Sequence, residues 1–298
     1  MVRQKIPGLA RGTTVRNLDK NGFLQLELAL PPSGEQRKIA NILSSVDKAI
    51  ESTQAVIDQL QVVKKAMMAE LLTRGLPGRH TRFKQTEIGE VPQEWQVVSL
   101  DSCIEPGRPV CYGILMPGKG HPGGVPVVKV KDIKNGFVDE ADILLTTPEL
   151  DEQYRRSRLR EGDVLLTIRG TTGRVARVPK SLHDANITQD TARLTIRADL
   201  DRDFIYYALQ GLDLQRQIQE QTRGQAVKGI NIGDVRQLRV PLPNRGEQGA
   251  MAELFESFVR LDTDNRQELA ELRRVKFALL SALLTGEVRV TPDPEAAP

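Results

Sequence analysis

Residues 30–50, LPPSGEQRKIANILSSVDKAI, and residues 242–262, LPNRGEQGAMAELFESFVRLD, share one design. Each begins with a leucine and a proline corner, continues through Gly-Glu-Gln and leads into a segment with the apolar spacing of a long helix. The two stretches lie 212 positions apart in a chain of 298 residues. This repeat decides the predicted fold, because the rest of the chain is organised around it.

The offset of 212 relates the chain to itself without a gap from Arg11 to Thr73. Identical pairs at this offset are Arg11 and Arg223, Gly12 and Gly224, Val15 and Val227, Leu26 and Leu238, Ala40 and Ala252, Leu60 and Leu272, Lys64 and Lys276, Ala66 and Ala278, Leu71 and Leu283, and Thr73 and Thr285. Solenoid repeats have periods of about 20 to 50 residues. We therefore expect a duplicated domain that is followed by a helix in each copy.

In this sequence only the second copy of the repeat belongs to a complete unit. Residues 87–298 form that unit, whereas residues 1–86 match only its end. We therefore expect a two-unit protein whose first domain has lost most of its length. A shortened reading frame and a deliberately shortened chain would both produce this pattern.

Each copy carries the 3.5-residue spacing of a coiled-coil seam. The predicted seam residues of the first helix are Ile39, Leu43, Val46, Ile50, Ile57, Leu60, Met67 and Leu71. Those of the second helix are Phe255, Phe258, Leu269, Leu272, Leu279 and Leu283. Polar Asp262 and Asn265 interrupt the second seam, and we expect Leu261 to fill part of the gap. Helices of roughly 40 residues would extend on the order of 60 Å; two core helices of one compact domain are the alternative.

Residues 83–243 carry short β-branched runs separated by glycine, proline and aspartate, which predict strands. The runs are EVPQEWQVVSL, GVPVVKVKDI, GDVLLTI, GRVARVP and ARLTIRA, and DRDFIYYALQGLDLQRQIQEQ has the apolar spacing of a helix. The predicted fold class is α+β, a mixed domain combined with two long helices.

Composition predicts a soluble cytoplasmic protein. Charged residues make up 27% of the chain and aromatic residues 4%, and no apolar run approaches the roughly 18 residues of a membrane span. Residues 1–22 lack the apolar stretch of a signal peptide. The two cysteines, Cys103 and Cys111, are too few for a disulfide framework, and they form no metal-ligand spacing with the three histidines.

Charge is unevenly distributed, although the net charge is only +3. Residues 155–180 hold eight basic and two acidic residues, whereas residues 139–152 hold six acidic and no basic residues. Such polarity is typical of a surface that meets a polyanion. Two solvated faces of opposite charge are the alternative.

Catalytic motifs are not found in this sequence. PGKGHPGG at 117–124 lacks the Gly-Lys-Ser/Thr ending of a phosphate-binding loop, and no Gly-x-Gly-x-x-Gly follows a predicted strand. RGTTGR at 169–174 has hydroxyl groups but no histidine partner at a useful spacing. We expect a protein that is not an enzyme and that holds no cofactor or metal.

Five stretches, in this order, resemble the specificity subunit of type I restriction and modification systems. They are RGTTVRNLDKNGFLQLELALPPSGEQRKIANIL, EIGEVPQEWQVVSL, GDVLLTIRGTTGRVARV, RGQAVKGINIGDVRQLRVPLPNRGEQ and LLSALLTGEVRV. The resemblance covers nearly the whole chain. Its most specific part is the proline corner that leads into Gly-Glu-Gln and a helix.

The resemblance implies target-recognition domains that each read half of a split DNA site, held apart by two long antiparallel coiled-coil helices. It implies double-stranded DNA and a methyltransferase subunit as partners, with a restriction nuclease subunit as an optional one. The chain then divides into the end of a first recognition domain (1–32), a long helix (33–75), a linker (76–86), a recognition domain (87–243), a second long helix (244–287) and a disordered tail (288–298).

Candidate DNA contacts follow from the chemistry of base edges, which suits arginine to guanine and asparagine or glutamine to adenine, while lysine, serine and threonine suit phosphates. A glycine turn offers Arg169, Thr171, Thr172 and Arg174, and the loop before the last strand offers Gln225, Lys228 and Asn231. Lys129, Lys131 and Lys134 form a candidate phosphate rail. The alternatives are a purely structural turn and a solvated strand face.

Two functions remain open at this point. One is a DNA-binding subunit that reads sequence and directs a separate methyltransferase, and the other is a helical adaptor that binds the methyltransferase without sequence recognition. Because one chain would present one recognition domain, we also expect a twofold homodimer that recognises an interrupted palindrome.

Overall fold

The computed structural model describes residues 10–11, 17–18, 20–25, 30–222 and 229–292. These residues divide into two compact units, one within 1–61 and 260–298 and the other within 62–259. No helix of the described ranges is both long and apolar enough to cross a membrane.

The first unit begins with three short elements, β1 (Ala10–Arg11), β2 (Asn17–Leu18) and α1 (Lys20–Leu24). Strands β1 and β2 pair antiparallel. The long helix α2 (Ser33–Arg74) follows, and its residues from Val62 onward belong to the second unit.

The second unit contains most of the strands, together with short helices. The strands are β3 (Phe83–Thr86), β4 (Gly89–Pro92), β5 (Gln96–Ser99), β6 (Cys111–Tyr112), β7 (Val125–Val128), β8 (Ile133–Lys134), β9 (Phe137–Val138), β10 (Leu144–Thr146), β11 (Val164–Thr167), β12 (Val175–Arg177), β13 (Asn186–Ile187), β14 (Thr191–Leu194) and β15 (Arg239–Leu242). The helices are α3 (Pro148–Gln153), α4 (Arg202–Gln210), α5 (Leu212–Thr222) and α6 (Ile232–Gln237). The second long helix, α7 (Arg245–Leu284), begins in this unit and continues in the first.

A four-stranded antiparallel sheet, in the order β12-β11-β14-β6, separates two hydrophobic cores of the second unit. Alternate residues of β11 face opposite sides. Val164 and Leu166 join the core that contains Trp95 and Phe204, whereas Leu165 joins the smaller core. Both faces of the sheet are therefore covered, and its strand ends and loops carry the polar side chains.

A second, three-stranded sheet has the order β10-β7-β13, in which β7 pairs antiparallel with β10 and parallel with β13. Strands β5 and β15 form a separate antiparallel pair, as do β8 and β9. This mixture of short sheets with long helices confirms the predicted α+β class.

The inner ends of the long helices are part of the larger core of the second unit. Leu71 and Leu72 of α2 and Met251 and Phe255 of α7 are buried in the same cluster as Trp95. Apolar packing therefore ties these turns of the long helices to the sheets of the second unit.

The residues of the predicted linker, 76–86, make defined contacts in the second unit. The segment ends in β3, which pairs with β4 so that Phe83 lies opposite Pro92. Its first part is held by Glu247, whose carboxylate accepts a hydrogen bond from the Leu76 amide at 3.3 Å and lies 2.8 Å from Nε2 of His80. Residues that make these contacts belong to the fold of the second unit.

Polar contacts in the first unit show that the two long helices run antiparallel, as predicted. Nε2 of Gln61 donates to Asp262 at 3.3 Å, and nearer the start of α2, Asp47 forms an ion pair with Lys276. Each step toward the N-terminus of α2 is matched by a similar step toward the C-terminus of α7. The structure thus agrees with the antiparallel order that the family resemblance implies.

The contacts continue beyond the end of α7. The Arg289 guanidinium donates to both carboxylate oxygens of Glu35 at 2.7 and 2.6 Å, and the Val290 amide donates to the same carboxylate at 3.3 Å. The predicted disordered tail is therefore corrected for residues 288–292, which this carboxylate anchors. Residues 293–298 lie outside the described residues.

The predicted seam residues point away from solvent to differing degrees. Those that are buried are Ile39, Ile57, Leu71, Phe255, Leu269 and Leu283. Those that are half-buried are Leu43, Val46, Ile50, Leu60, Met67, Phe258, Leu272 and Leu279. Leu261, which we expected to fill part of the polar gap, is 47% exposed. The gap is closed instead by the hydrogen bond between Gln61 and Asp262.

The sequence repeat reappears in the structure at the level of single hydrogen bonds. Helices α1 and α6 begin 212 residues apart, and so do α2 and α7. Nε2 of Gln36 donates to the Pro31 carbonyl at 2.7 Å, and Nε2 of Gln248 donates to the Pro243 carbonyl at 2.8 Å. The glutamine of Gly-Glu-Gln thus fastens the first turn of each long helix to its proline corner.

Candidate nucleic-acid interface

The glycine turn connects β11 to β12, and the side chain of Thr167 shapes it. The Thr167 hydroxyl donates to the Thr171 carbonyl at 2.6 Å and accepts from the Arg174 amide at 2.8 Å. Gly170 and Gly173 have φ values of 70° and 89°, which side-chain-bearing residues adopt rarely. Local sequence therefore fixes a tight loop whose arginines project from either end.

The turn lies between two other predicted segments of the second unit. On one side Arg169 forms an isolated bridge with Gly229, and the Ile230 amide donates to the Ile168 carbonyl at 2.9 Å. On the other side Nη1 of Arg174 donates to the Ile133 carbonyl at 3.1 Å. The structure therefore brings the glycine turn, the 129–134 segment and the 229–231 segment together. We call this edge of the second unit the loop face.

The two arginines of the turn have different surroundings. Arg169 is exposed, and its Nη1 lies 3.2 Å from the amide oxygen of Gln189. Arg174 is also exposed, but its Nη1 donates to carbonyls of Ile133 and Val130, the second at 3.4 Å. Among the described residues, neither arginine has a carboxylate within ion-pair distance. Arg169 is thus held beside an amide, whereas Arg174 braces the neighbouring segment.

The remaining residues that we predicted to contact DNA differ in how many hydrogen bonds they already make within the protein. Thr171 is exposed, while the hydroxyl oxygen of the half-buried Thr172 has no hydrogen-bond partner within the described ranges. Asn231 caps α6, because its side-chain oxygen accepts from the Asp234 amide at 2.9 Å and its side-chain nitrogen donates to the Asp234 carboxylate. Gln225 and Lys228 lie outside the described residues.

The three predicted rail lysines lie on different local elements. The half-buried Lys129 precedes a 3₁₀ turn that contains Lys131, and Lys134 belongs to β8. Lys131 forms an ion pair with Asp142 at 2.6 Å, and this hydrogen bond raises the pKa of Lys131. Lys134 pairs with Asp139 at 2.7 Å and lowers the pKa of that carboxyl. Two of the three charges are therefore compensated within the fold.

Similar pairing removes part of the charge polarity seen in the sequence. Arg158 binds Asp151 and Glu152, each at 2.6 Å, and Arg155 lies 3.4 Å from Glu152. The acidic run at 139–152 thus neutralises basic residues on both sides of it in the sequence. Because it does not reach Arg169 or Arg174, positive charge is retained on the loop face.

Sequence reasoning missed the loop between β13 and β14. Gln189 approaches Arg169, and the buried hydroxyl oxygens of Thr188 and Thr191 have no partner among the described residues. The Asp190 carbonyl accepts the Arg169 amide at 3.2 Å. The only sequence signal is the short polar run TQDT, and its position next to the turn follows from the pairing of β14 with β11.

No group of three or more His, Cys, Asp or Glu side chains within the described ranges could hold a metal ion. The polar chemistry of the loop face is that of arginine, amide and hydroxyl groups on loops supported by a buried sheet.

Residues 3–62 and 92–274 match the family described as the type I restriction modification DNA specificity domain. The chain belongs to this family.

Curated relatives of this specificity-domain chain include two specificity subunits. The type I restriction enzyme EcoBI specificity subunit of Escherichia coli is 28% identical over 290 residues, which cover 92% of this chain and 61% of that protein. The MjaVIII specificity subunit of Methanocaldococcus jannaschii is 28% identical over 287 residues, covering 94% of this chain and 66% of that protein. The chain therefore spans less than two thirds of the length of these relatives.

Solved structures show the same specificity-subunit fold. The HsdS subunit from Thermoanaerobacter tengcongensis matches with a TM-score of 0.56 and 19% identity over 96% of this chain and 67% of that one. A chain from a structure on complex assembly and conformational transition of the type I R-M system matches with a TM-score of 0.62 and 19% identity, covering 96% of this chain and 68% of that one.

Proposed function

We propose that this chain binds double-stranded DNA, reads its sequence and directs a separate methyltransferase subunit to the recognised site. The observation that carries the proposal is the surroundings of Arg169, an exposed guanidinium that lies beside the Gln189 amide with no described carboxylate to neutralise it. Family membership supports the same role. In this proposal methyl transfer and strand cleavage are performed by partner subunits.

The loop face has groups for both kinds of DNA contact. Arginine binds guanine through two hydrogen bonds and an amide side chain binds adenine, so Arg169 and Gln189 are the proposed base readers. Thr171 and Lys129 are proposed phosphate contacts, and the ion-paired Lys131 and Lys134 would first have to exchange their aspartates. Gln225 and Lys228 remain predictions, as does Asn231, whose amide already caps a helix.

The test compares Arg169→Ala with Arg82→Ala, which removes an equally charged, exposed side chain elsewhere in the second unit. The preferred duplex is first selected from a random pool with the full chain and its methyltransferase subunit. Loss of the guanine contact should weaken binding to this duplex by about 1–3 kcal/mol and binding to random duplexes much less. An equal loss on both duplexes would mean that Arg169 contacts phosphate only.

The outer surface of the long helices is the proposed docking surface for the methyltransferase. In the first unit Phe277 is 64% exposed, and Val56, Val275 and Leu261 are also exposed. A partner that covers such side chains would remove apolar surface from water, which favours association. Phe277→Ser should weaken capture of the methyltransferase subunit, whereas Phe23→Ser, the same change at another exposed position, should leave it unaltered. A restriction nuclease subunit is a further proposed partner, which the family resemblance implies.

The adaptor function is the second candidate, and the compensated lysines at Lys131 and Lys134 favour it. An adaptor would hold the methyltransferase on its helices without preferring any DNA sequence. Filter binding of the assembled complex separates the two functions, because sequence-selective and salt-dependent retention belongs only to the DNA-reading subunit.

A further inference from the structure

A cavity of about 330 Å³ opens beside the edge strand β6 in the second unit. Four arginines line it, namely Arg108, Arg155, Arg156 and Arg193, together with Cys111. We call it the arginine pocket. None of these five residues was among the predicted DNA contacts.

The deepest of these side chains is Arg193, which is only 1% exposed. It lies on β14 between Ala192 and Leu194, whose side chains enter the larger core, so the alternation of the strand turns Arg193 to the other face. There its Nη2 donates to the Pro109 carbonyl at 3.0 Å and its Nη1 to the Thr195 hydroxyl at 2.5 Å.

Arg193 retains unused hydrogen-bonding capacity, and it reaches a carboxylate only indirectly, because the Thr195 hydroxyl that it bonds donates in turn to Asp163 at 2.6 Å. Its Nη2 also lies 3.3 Å from Sγ of Cys111, while its Nε is buried and has no hydrogen-bond partner in the described part of the chain. Within the described residues no carboxylate forms an ion pair with it. A buried guanidinium in this state is costly unless an anion balances its charge.

The other three arginines of the pocket add positive charge, and among the described residues carboxylates pair with only two of them. Arg108 pairs with Asp163 at 3.2 Å and Arg155 lies 3.4 Å from Glu152, so two carboxylates serve the four guanidinium groups. The Arg156 guanidinium lies 5.8 Å from the centre of the Tyr112 ring, and it has no carboxylate partner in the described part of the chain. Burial lowers the pKa of Arg108, and the nearby Arg193 charge lowers it further.

We propose that the arginine pocket binds a phosphate group. The planar guanidinium matches the oxygen atoms of phosphate through paired hydrogen bonds, and a buried cation gains most from such a ligand. Arg193 would bind the anion from within, while the exposed Arg155 and Arg156 would hold it at the mouth. The phosphate belongs either to the DNA backbone or to a free phosphate ion.

Strand β6 connects the pocket to the loop face. After Tyr112, the Gly113 amide donates to the Thr188 carbonyl at 3.3 Å, and Thr188 begins the loop that contains Gln189. A backbone phosphate in the pocket would therefore extend the proposed DNA contact along one edge of the sheet. The DNA backbone as the source of the phosphate rests on the proposed function, whereas phosphate binding by the pocket does not.

The first arm of the experiment uses inorganic phosphate and the full chain. Phosphate, compared with chloride at equal ionic strength, should raise the melting temperature of wild type and of Arg82→Ala. The shift should be lost in Arg156→Ala and in the double variant Arg155→Ala with Arg156→Ala. These exposed positions leave Arg193 in place, and circular dichroism confirms that each variant is folded.

The second arm measures the salt dependence of duplex binding for the same variants. If the pocket holds a backbone phosphate, Arg156→Ala should reduce the slope of log affinity against log salt by about one for all sequences, and Arg82→Ala should not. A lost phosphate shift with an unchanged slope would identify a free ion as the ligand. The proposal is overturned if Arg156→Ala and Arg82→Ala behave alike in both arms. Absence of any DNA binding by wild type would refute the proposed function while the first arm still decides the pocket.

Discussion

At the scale of single residues, the two arginines of the glycine turn serve different purposes. Arg169 and Arg174 are both exposed and lie at opposite ends of the glycine turn. Arg169 meets a side-chain amide, whereas Arg174 donates to main-chain carbonyls of Ile133 and Val130. A charged donor that satisfies carbonyls contributes to the shape of the face before any DNA is bound.

We predict that Arg174→Ala loosens the 130–134 segment and lowers the free energy of unfolding by about 1 kcal/mol. Because Nη1 of Arg174 is already bonded to main-chain carbonyls, we expect DNA affinity to fall by a similar factor on preferred and random duplexes. Chemical denaturation and filter binding measure the two effects. Unchanged stability together with a selective loss on the preferred duplex would assign base reading to Arg174.

Glu35 is the residue through which pH should act on the first unit. Its hydrogen bond with Arg289 lowers the pKa of Glu35 below the ordinary value of 4.5. A lowered carboxyl pKa means that the ion pair stabilises the fold above the ordinary pKa, and that this contribution is lost as pH falls through the folded pKa.

We predict that Glu35→Gln destabilises the chain at neutral pH and that the difference from wild type disappears in acid. Thermal unfolding from about pH 7 to about pH 3 measures this difference. The control is Glu51→Gln, an exposed position on the same helix. A difference that stays constant with pH would show that the carboxylate charge is not what anchors Arg289.

At the scale of elements, the seam between the two long helices contains both apolar and polar positions. Apolar residues such as Ile57 and Leu269 are buried, whereas Asp262 occupies a half-buried seam position. There it accepts hydrogen bonds from Gln61 and from Arg266. A polar residue at such a position specifies register at a cost in stability.

We predict that Asp262→Leu raises the free energy of unfolding by about 1 kcal/mol, because the leucine would pack in the seam. For a chain of this size the melting temperature should rise by roughly 2–4 °C. Asp264→Leu, on the exposed side of the same helix, is the matched control and should not stabilise. A fall in melting temperature would show that the bond with Gln61 is worth more than apolar packing.

At the scale of the whole molecule, the described residues form one loop face, which belongs to the second unit. Two copies related by a twofold axis would present two identical faces in opposite senses. Such an arrangement reads two half-sites that are inverted repeats of each other.

We therefore predict that the complex with the methyltransferase contains two copies of this chain and modifies an interrupted palindrome. Light scattering with and without the methyltransferase gives the copy number, and methylation mapping gives the site. A complex with one copy, or modification of a single asymmetric half-site, would exclude the dimer.

The sequence by itself determined the repeat, the two long helices and the α+β class. These features are carried by local patterns: the Gly-Glu-Gln motif, apolar spacing and short β-branched runs. The glycine turn could also be predicted, because glycine at positive φ is a local requirement of the chain at Gly170 and Gly173.

Only the tertiary structure decided which polar groups are free to bind a ligand. Lys131 and Lys134 form ion pairs with aspartates, Gln189 lies beside Arg169, and Arg193 is buried without an ion-paired carboxylate among the described residues. Each of these outcomes depends on strand register and on contacts between distant segments, which no local pattern encodes. Charge counted along a chain is not charge at a surface, because folding pairs some of it, buries some of it and leaves the remainder exposed to a ligand.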